Sequence, residues 1–370
     1  MSDMFSTWDL GNLRLSNRLV RSATWEGMAD QSGVPSRNLG ELWVRLAQGG
    51  VGLIVAGYLY VLPRGQGLPG QTGIFGEQHV GPLAGLVEMV HQAGGVLAAQ
   101  LAHAGRHTRA AWIGTTPHGP SAGFNQAMQE TVEGMTPDDI EEVIEAFGKG
   151  AERCLRAGFD AIELHAAHGY LLSQFLSPAF NLRQDRYGGS LENRARLLMR
   201  AYQAVRQAVG PDYPVFIKIN SEDGIPGGFV LPDAIEVCRE LDRAGIDAIE
   251  VSGGVAGGGR AHKNSPGRVV RGPEEEGYFF DNALAIKVEV SCPVISVGGW
   301  RSPGRIAEAL SRVDAVALSR PLIRQPDLPK RWRSGETAAS TCISCGQCLS
   351  LGMTGGIRCG QEDKKRNSPS

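Results

Sequence analysis

No stretch of this sequence is long and apolar enough to cross a bilayer. The longest apolar run near its start, Val51 to Leu62, is about a dozen residues, whereas a spanning helix needs roughly 20. The opening "MSDMFSTWDL" has no basic segment followed by an apolar one, so no secretory leader is expected and a cytoplasmic address follows. An excess of one charge is also lacking. The 37 basic and 39 acidic residues are spread along the chain and leave a formal net charge of −2, so no field gathers nucleic acid or an anionic membrane. Small molecules are the expected partners. The one Gly-x-Gly-x-x-Gly string, Gly65 to Gly70, opens no helical spacing and no Walker loop occurs, so neither a tightly held nicotinamide nor a nucleoside triphosphate is indicated. No linker or low-complexity tract interrupts the chain before its C-terminal tail. The economical division is one domain over 1–335 and a cysteine-rich extension over 336–370.

What is present is a repeated unit. With 42% hydrophobic residues among 370, the chain can bury a large core. Eight short apolar stretches recur, each reached through Gly or Asp and most followed by helical spacing: Leu19–Ala23, Val51–Ala56, Val96–Gln100, Ala161–His165, Val215–Ile219, Ala248–Val251, Val294–Val297 and Ala315–Leu318. Continuous apolar strands alternating with helices imply a parallel sheet buried on both faces. Eight such units predict a (β/α)8 TIM barrel, with a doubly wound open sheet as the alternative. The echo between "AGFDAIELHAAHG" at 157 and "AGIDAIEVSGGVA" at 244 fits either. Helix starts are legible at Thr136-Pro137-Asp138-Asp139 and at Ser190, where a hydroxyl caps the first turn. A barrel needs roughly 250 residues. The surplus is assigned to the loop 105–135, the excursion 169–189 and the tail after Arg333.

Polar groups at the C-terminal ends of barrel strands face the site, because the βα loops form its mouth. His165 ends the fourth strand, with His168 and Tyr170 in the loop that follows. Two imidazoles offer N–H donors to a carbonyl oxygen, and a phenol offers a proton to a nearby carbon. A metal pair or two packed core histidines satisfy the same spacing.

The block "ELHAAHGYLLSQFLSPAFNLRQDRYGGSLENRARLLMR" resembles the central segment of the Old Yellow Enzyme family of FMN-dependent oxidoreductases. The resemblance continues in order through "LSNRLVRSAT" at 15, "AAQLAHAGR" at 98, "PVFIKIN" at 214, "PVISVGGW" at 293 and "VALSRPLIRQPDL" at 316. It implies that Ser22, Ala23 and Thr24 line the flavin edge. Gln100 would bond the pyrimidine side, and Lys218, where the family usually has arginine, would place a cation near N1 and O2. Gly298, Gly299, Ser319 and Arg320 would cradle the phosphate. The implied activity is reduction of FMN by NAD(P)H, followed by hydride transfer from flavin N5 to the activated C=C bond of an α,β-unsaturated carbonyl compound. In that scheme His165 and His168 bind the carbonyl oxygen and Tyr170 supplies the proton. Where the family often has Thr or Cys this chain has Trp25, so either Thr24 takes over the tuning of the flavin or Trp25 narrows the pocket.

Seven cysteines are an odd number, and four crowd into the tail as Cys342, Cys345, Cys348 and Cys359. The Cys-x2-Cys-x2-Cys-x10-Cys spacing suits a [4Fe–4S] cluster or a tetrahedral zinc in a reducing compartment. It resembles the cluster segment of the branch containing trimethylamine dehydrogenase and 2,4-dienoyl-CoA reductase; free or oxidised thiols are the other outcome. Cys154, Cys238 and Cys292 read as packing residues. The rival functions are an amine dehydrogenase passing electrons through the cysteine site to an external partner, a metal-dependent barrel hydrolase or lyase using Glu163, His165 and His168, and a binding module without turnover. A homo-oligomer is compatible with each of them.

Overall fold

The structure is a computed structural model and describes residues 3–255 and 267–362. Eight parallel strands close a barrel: β1 (Leu19–Arg21), β2 (Leu53–Tyr60), β3 (Leu97–Ala102), β4 (Ala161–Ala166), β5 (Val215–Asn220), β6 (Ile249–Ser252), β7 (Val294–Val297) and β8 (Ala315–Leu318). β8 pairs back onto β1, with Val316 opposite Leu19. Seven barrel strands lie within the expected apolar stretches or overrun them by one or two residues, while β2 runs four residues past the expected end at Ala56. Closure settles the choice against an open sheet.

The strands alternate more strictly than an apolar run suggests. Ile162, Leu164, Val215, Ile217, Ile249 and Val251 point outward into the layer of helices. Ala98, Ala161, Phe216, Ala248 and Ile295 point inward and fill the barrel floor. Trp8, Leu10 and Leu15, from an N-terminal hairpin (Trp8–Leu10 with Leu13–Leu15), plug that floor from below. Above the floor the inward positions become polar, and this is where the site begins.

Asp160, Asp247 and Asp314 each accept the backbone N–H of the residue opening a neighbouring strand, Leu97, Val215 and Val294, all at 2.7 Å. The sequence echo is therefore a register device repeated around the barrel. It also places Glu163 and Glu250 at equivalent heights on β4 and β6.

Helix starts follow their caps. Thr136 Oγ1 accepts from Asp139 N at 3.1 Å, and Asp139 Oδ2 accepts from Thr136 N at 2.8 Å, opening helix Pro137–Arg156. Ser190 Oγ accepts from Asn193 N at the start of Leu191–Val209. The loop 105–135 is not featureless. It carries a short helix, Ala110–Ile113, and a three-stranded sheet of His118–Gly119, Glu130–Gly134 and Gly123–Asn125.

The tail folds back on the mouth of the barrel. Ser340 N donates to Arg301 O, Arg301 Nη1 to Cys342 O, and Ile357 N to Glu26 O at 2.7 Å. The residues beyond 362 in the expected extension lie outside those described. Cys154, Cys238 and Cys292 are buried in the outer core, as their apolar settings suggested. Among the described residues no helix is long and apolar enough to cross a membrane.

Candidate active site

Three successive strands end in the same polar-x-polar step: Glu163 and His165 on β4, Lys218 and Asn220 on β5, Glu250 and Ser252 on β6. Parallel pairing sets Lys218 beside His165 on one side and Glu250 on the other. The result is two stacked polar layers. The lower holds Gln100, Glu163, Lys218, Glu250 and Ser22, and the upper holds His165, Asn220 and Ser252 with His168 leaning over them.

In the lower layer Lys218 Nζ lies 2.7 Å from Ser22 Oγ and 3.1 Å from Glu250 Oε1. Ser22 donates to the same Glu250 oxygen at 2.8 Å, and Gln100 Nε2 donates to Glu163 Oε2 at 2.6 Å. Ser22 thus engages the layer through its side chain, a role that sequence reasoning did not give it. Ala23 packs at the rim of the inner core.

His165 is buried, its Nδ1 has no partner among the described residues, and its ring centroid lies 5.3 Å from that of His168. His168 adopts φ 62°, a left-handed conformation unusual for a residue with a Cβ. Asn220 holds it there, Oδ1 accepting from His168 N at 2.9 Å while Nδ2 donates to Asp223 Oδ1 and Gly254 O. Ser252 Oγ meets His168 Nε2 at 2.8 Å. Asn220 and Ser252 were missed from sequence.

Tyr170 donates to Tyr58 Oη at 3.1 Å, and its ring lies 4.9 Å from His165 and 5.8 Å from His107 of the loop 105–135. Tyr170, Tyr58, Trp25, Ala102 and Ala104 form one buried cluster. Trp25 rests against Gly352 of the tail and does not line the cavity beside the polar layers.

Burial sets the protonation states. It holds the His165 imidazole well below its ordinary range, reinforced by His168 and the Lys218 cation, and it depresses His168 to about 3. Both rings are neutral at neutral pH and can each present one N–H. Burial likewise raises the Tyr58 and Tyr170 phenols, which stay protonated. His103, buried beside Arg64 and His118, falls to about 3.

A histidine whose folded pKa lies below its unfolded value of about 6.5 binds its proton more readily when unfolded, so stability is lost as pH falls below that value. His103 and His168, each held at about 3, should together remove roughly 5 kcal/mol between pH 6.5 and 4.5, at about 1.4 kcal/mol per unit each. Thermal denaturation measured across this range should show a steep fall, and His103→Gln should flatten it. A variant curve parallel to the parent's would remove His103 from the account.

A cavity of about 880 Å³ opens beside these layers, lined by Thr24, Leu68, Val255, Gly299, Ser319 and Arg320, among others, and closed on its far side by the tail from Ser344 to Met353. Thr24 Oγ1 and Ser319 Oγ are 2.8 Å apart on its wall. Gly298 O accepts from Gly277 N and Tyr278 N. Gly299, at φ 75°, has no room for a Cβ, which would come 2.5 Å from Val270. Arg320 donates to the carbonyls of Gly267 and Arg268. His165, His168 and Tyr170 lie next to this cavity rather than lining it. Leu68 links it to the aromatic cluster, and Val255, bridged to His168, links it to the histidines.

The residues fit FMN. The cavity is large enough for it, Gly299, Ser319 and Arg320 share its wall, and Lys218 and Gln100, outside that lining, are buried at the barrel's centre.

Cys345 and Cys348 line the same cavity. Cys342 lies within electrostatic reach of Cys345 and Cys359, and Cys348 within reach of Cys342 and Cys345. All four are partly exposed. Among the described residues no three His, Cys, Asp or Glu side chains close into a metal-binding geometry.

The family model for NADH:flavin oxidoreductase / NADH oxidase matches residues 3–338. The chain is 34% identical over 360 residues to the NADH oxidase of Thermoanaerobacter brockii, covering 96% of this chain but 54% of that protein. It thus spans about half the length of the first curated relatives it matches. The NADPH dehydrogenase of Geobacillus thermodenitrificans is 36% identical over 330 residues, 88% of this chain and 92% of the relative. Among solved structures, 2-naphthoyl-CoA reductase with 2-naphthoyl-CoA superposes with a TM-score of 0.89 at 28% identity, covering 97% of this chain and 56% of that one. Morphinone reductase in complex with tetrahydroNAD superposes with a TM-score of 0.76 at 27% identity, covering 92% and 96%.

Proposed function

Because the chain belongs to the NADH:flavin oxidoreductase / NADH oxidase family, we propose that it is an FMN-dependent NAD(P)H oxidoreductase acting on the activated C=C bond of α,β-unsaturated carbonyl or related electron-poor compounds. The observation that carries this reading is the pair of neutral imidazoles, His165 and His168, held beside a buried phenol and above a buried cation. Bound FMN supplies a carrier that takes hydride from NAD(P)H and delivers it to the substrate.

The chain does the rest. Lys218, fixed by Ser22 and Glu250, provides positive charge at the barrel's centre, and Gln100 is held by Glu163. Gly299, Ser319 and Arg320 hold the phosphate. His165 and His168 donate to the substrate's activating oxygen and stabilise the charge that develops there. Tyr170, kept protonated by burial and braced by Tyr58, gives its proton to the adjoining carbon. The similarity to proteins named NADPH dehydrogenase, morphinone reductase and 2-naphthoyl-CoA reductase supports a nicotinamide donor and a reducible conjugated acceptor.

A second reading is favoured by one observation, the cysteine wall of the same cavity. In that reading Cys342, Cys345, Cys348 and Cys359 would hold a [4Fe–4S] cluster, which would supply the exit for electrons from an amine oxidation to an external partner; zinc at the same thiols would be structural only.

One preparation separates the two readings. Protein purified without oxygen should be yellow, bleach with NAD(P)H and regain its colour on adding an enone. Bleaching by amines but not by NAD(P)H would overturn the first reading in favour of the second. Metal and sulfide analysis of the same sample should find four iron per chain or one zinc, and a protein with neither has no metal at these thiols.

A further inference from the structure

The lower polar layer holds more acid than its cation can balance. Gln100, Glu163, Lys218 and Glu250 come from four adjacent strands and Ser22 from the end of β1, and none is more than 3% exposed. Lys218 and Ser22 both engage Glu250 Oε1, and Gln100 engages Glu163 Oε2. One oxygen of each carboxyl is left over. Glu163 Oε1 and Glu250 Oε2 are buried without a donor, although the two carboxyls lie within hydrogen-bonding reach of one another.

Fully ionised, the layer would carry two negative charges against one positive, with two orphaned oxygens facing no proton. A low-dielectric interior does not tolerate that arrangement. A single proton between the carboxyls satisfies both orphans and brings the layer to neutrality.

We infer that Glu163 and Glu250 share one buried proton at neutral pH, forming an acid pair beneath the cavity that lets the Lys218 charge stand uncancelled by a second carboxylate. Burial and the neighbouring Glu250 both push the Glu163 carboxyl well up, in agreement. The groups facing the pair are Gln100 from β3, neutral His165 from β4, Lys218 from β5 and Ser22 from β1, so among the described residues Lys218 is its one charged neighbour. The consequence for the cofactor, a neutral rather than anionic layer on the side where Lys218 acts, rests on the FMN reading above. The shared proton itself does not.

Infrared spectroscopy tests it directly on the protein with and without FMN. A protonated-carboxyl stretch should be present at pH 8 and be lost in both Glu163→Gln and Glu250→Gln. Its absence from the parent, or its persistence in Glu250→Gln as a lone acid, overturns the inference. Should a variant fail to fold, carbon-13 NMR of the parent labelled at glutamate Cδ decides. Two resonances that titrate together, away from the carboxylate position, are expected, and ordinary carboxylate shifts for every glutamate would sink the proposal. Protein that shows the band but binds no FMN leaves the proton pair standing and removes only the flavin reading.

Discussion

His165→Ala should stay yellow and lose turnover by about 10²–10³-fold, the usual effect of removing one preorganised donor to a developing oxyanion. The size follows from where the ring sits. His165 is buried, neutral and next to the Lys218 cation, so its N–H acts in a water-poor setting where each hydrogen bond to a forming charge counts for more than it would in water. Its removal leaves Gly299, Ser319 and Arg320, the residues proposed to hold the phosphate, untouched, since they line the cavity and His165 lies beside it. Flavin content measured by absorbance and enone reduction measured in the steady state separate binding from catalysis. A variant reducing enones within threefold of the parent would mean that His165 is a packed core histidine, one of the two bland roles its spacing also permits.

Much of the fold was legible because the barrel strands are bounded by Gly or Asp and flanked by helices with readable caps. The inner face was harder. Glu163, Lys218 and Glu250 each interrupt a short apolar run; Lys218 is reached through the family resemblance, Glu163 only as a rival metal ligand, and Glu250 by neither route. The usable signal was the step shared by three strands, Glu163 with His165, Lys218 with Asn220, and Glu250 with Ser252, because side chains two apart on a strand share a face. The partnerships themselves could not be read, since the contacts of Lys218 with Ser22 and Glu250 depend on barrel closure and register. The sheet in the loop 105–135 was hidden for a different reason. Its strands are short and largely exposed, and "ETVEG" has one buried residue, Val132. The direction of Trp25 was undetermined until the tail supplied the surface it packs on.

Arg21→Met should destabilise the protein by about 3–5 kcal/mol, the typical effect of stripping the partner from a buried charge. Arg21 and Glu26 are both nearly inaccessible, with Nη2 and Oε1 2.9 Å apart as an ion pair. Arg21 also donates to Val55 O at 2.6 Å, while Glu26 accepts from Gly57 N at 3.1 Å and meets Trp43 Nε1 at 3.4 Å. No Cβ fits at Gly57, where it would fall 1.8 Å from Glu26 Oε2, so the carboxylate is wedged in place and cannot swing out to water. Through the backbone carbonyl of Glu26 the same residue holds the tail at Ile357. Burial already raises the Glu26 carboxyl against the pull of Arg21, so without the guanidinium the group must take up a proton to remain inside. An acid raised in the folded state stabilises fully below its unfolded value and loses that contribution as pH climbs. The deficit of Arg21→Met relative to the parent should therefore widen as pH rises above the parent's own raised Glu26 value, where the parent has stopped losing stability and the variant has not. Replacing both partners, Arg21→Met with Glu26→Leu, should recover much of the loss, because no charge is then left unpaired. Denaturant unfolding of the parent, both single variants and the double variant measures the coupling. A single-variant loss under about 1 kcal/mol would show that water reaches the pair.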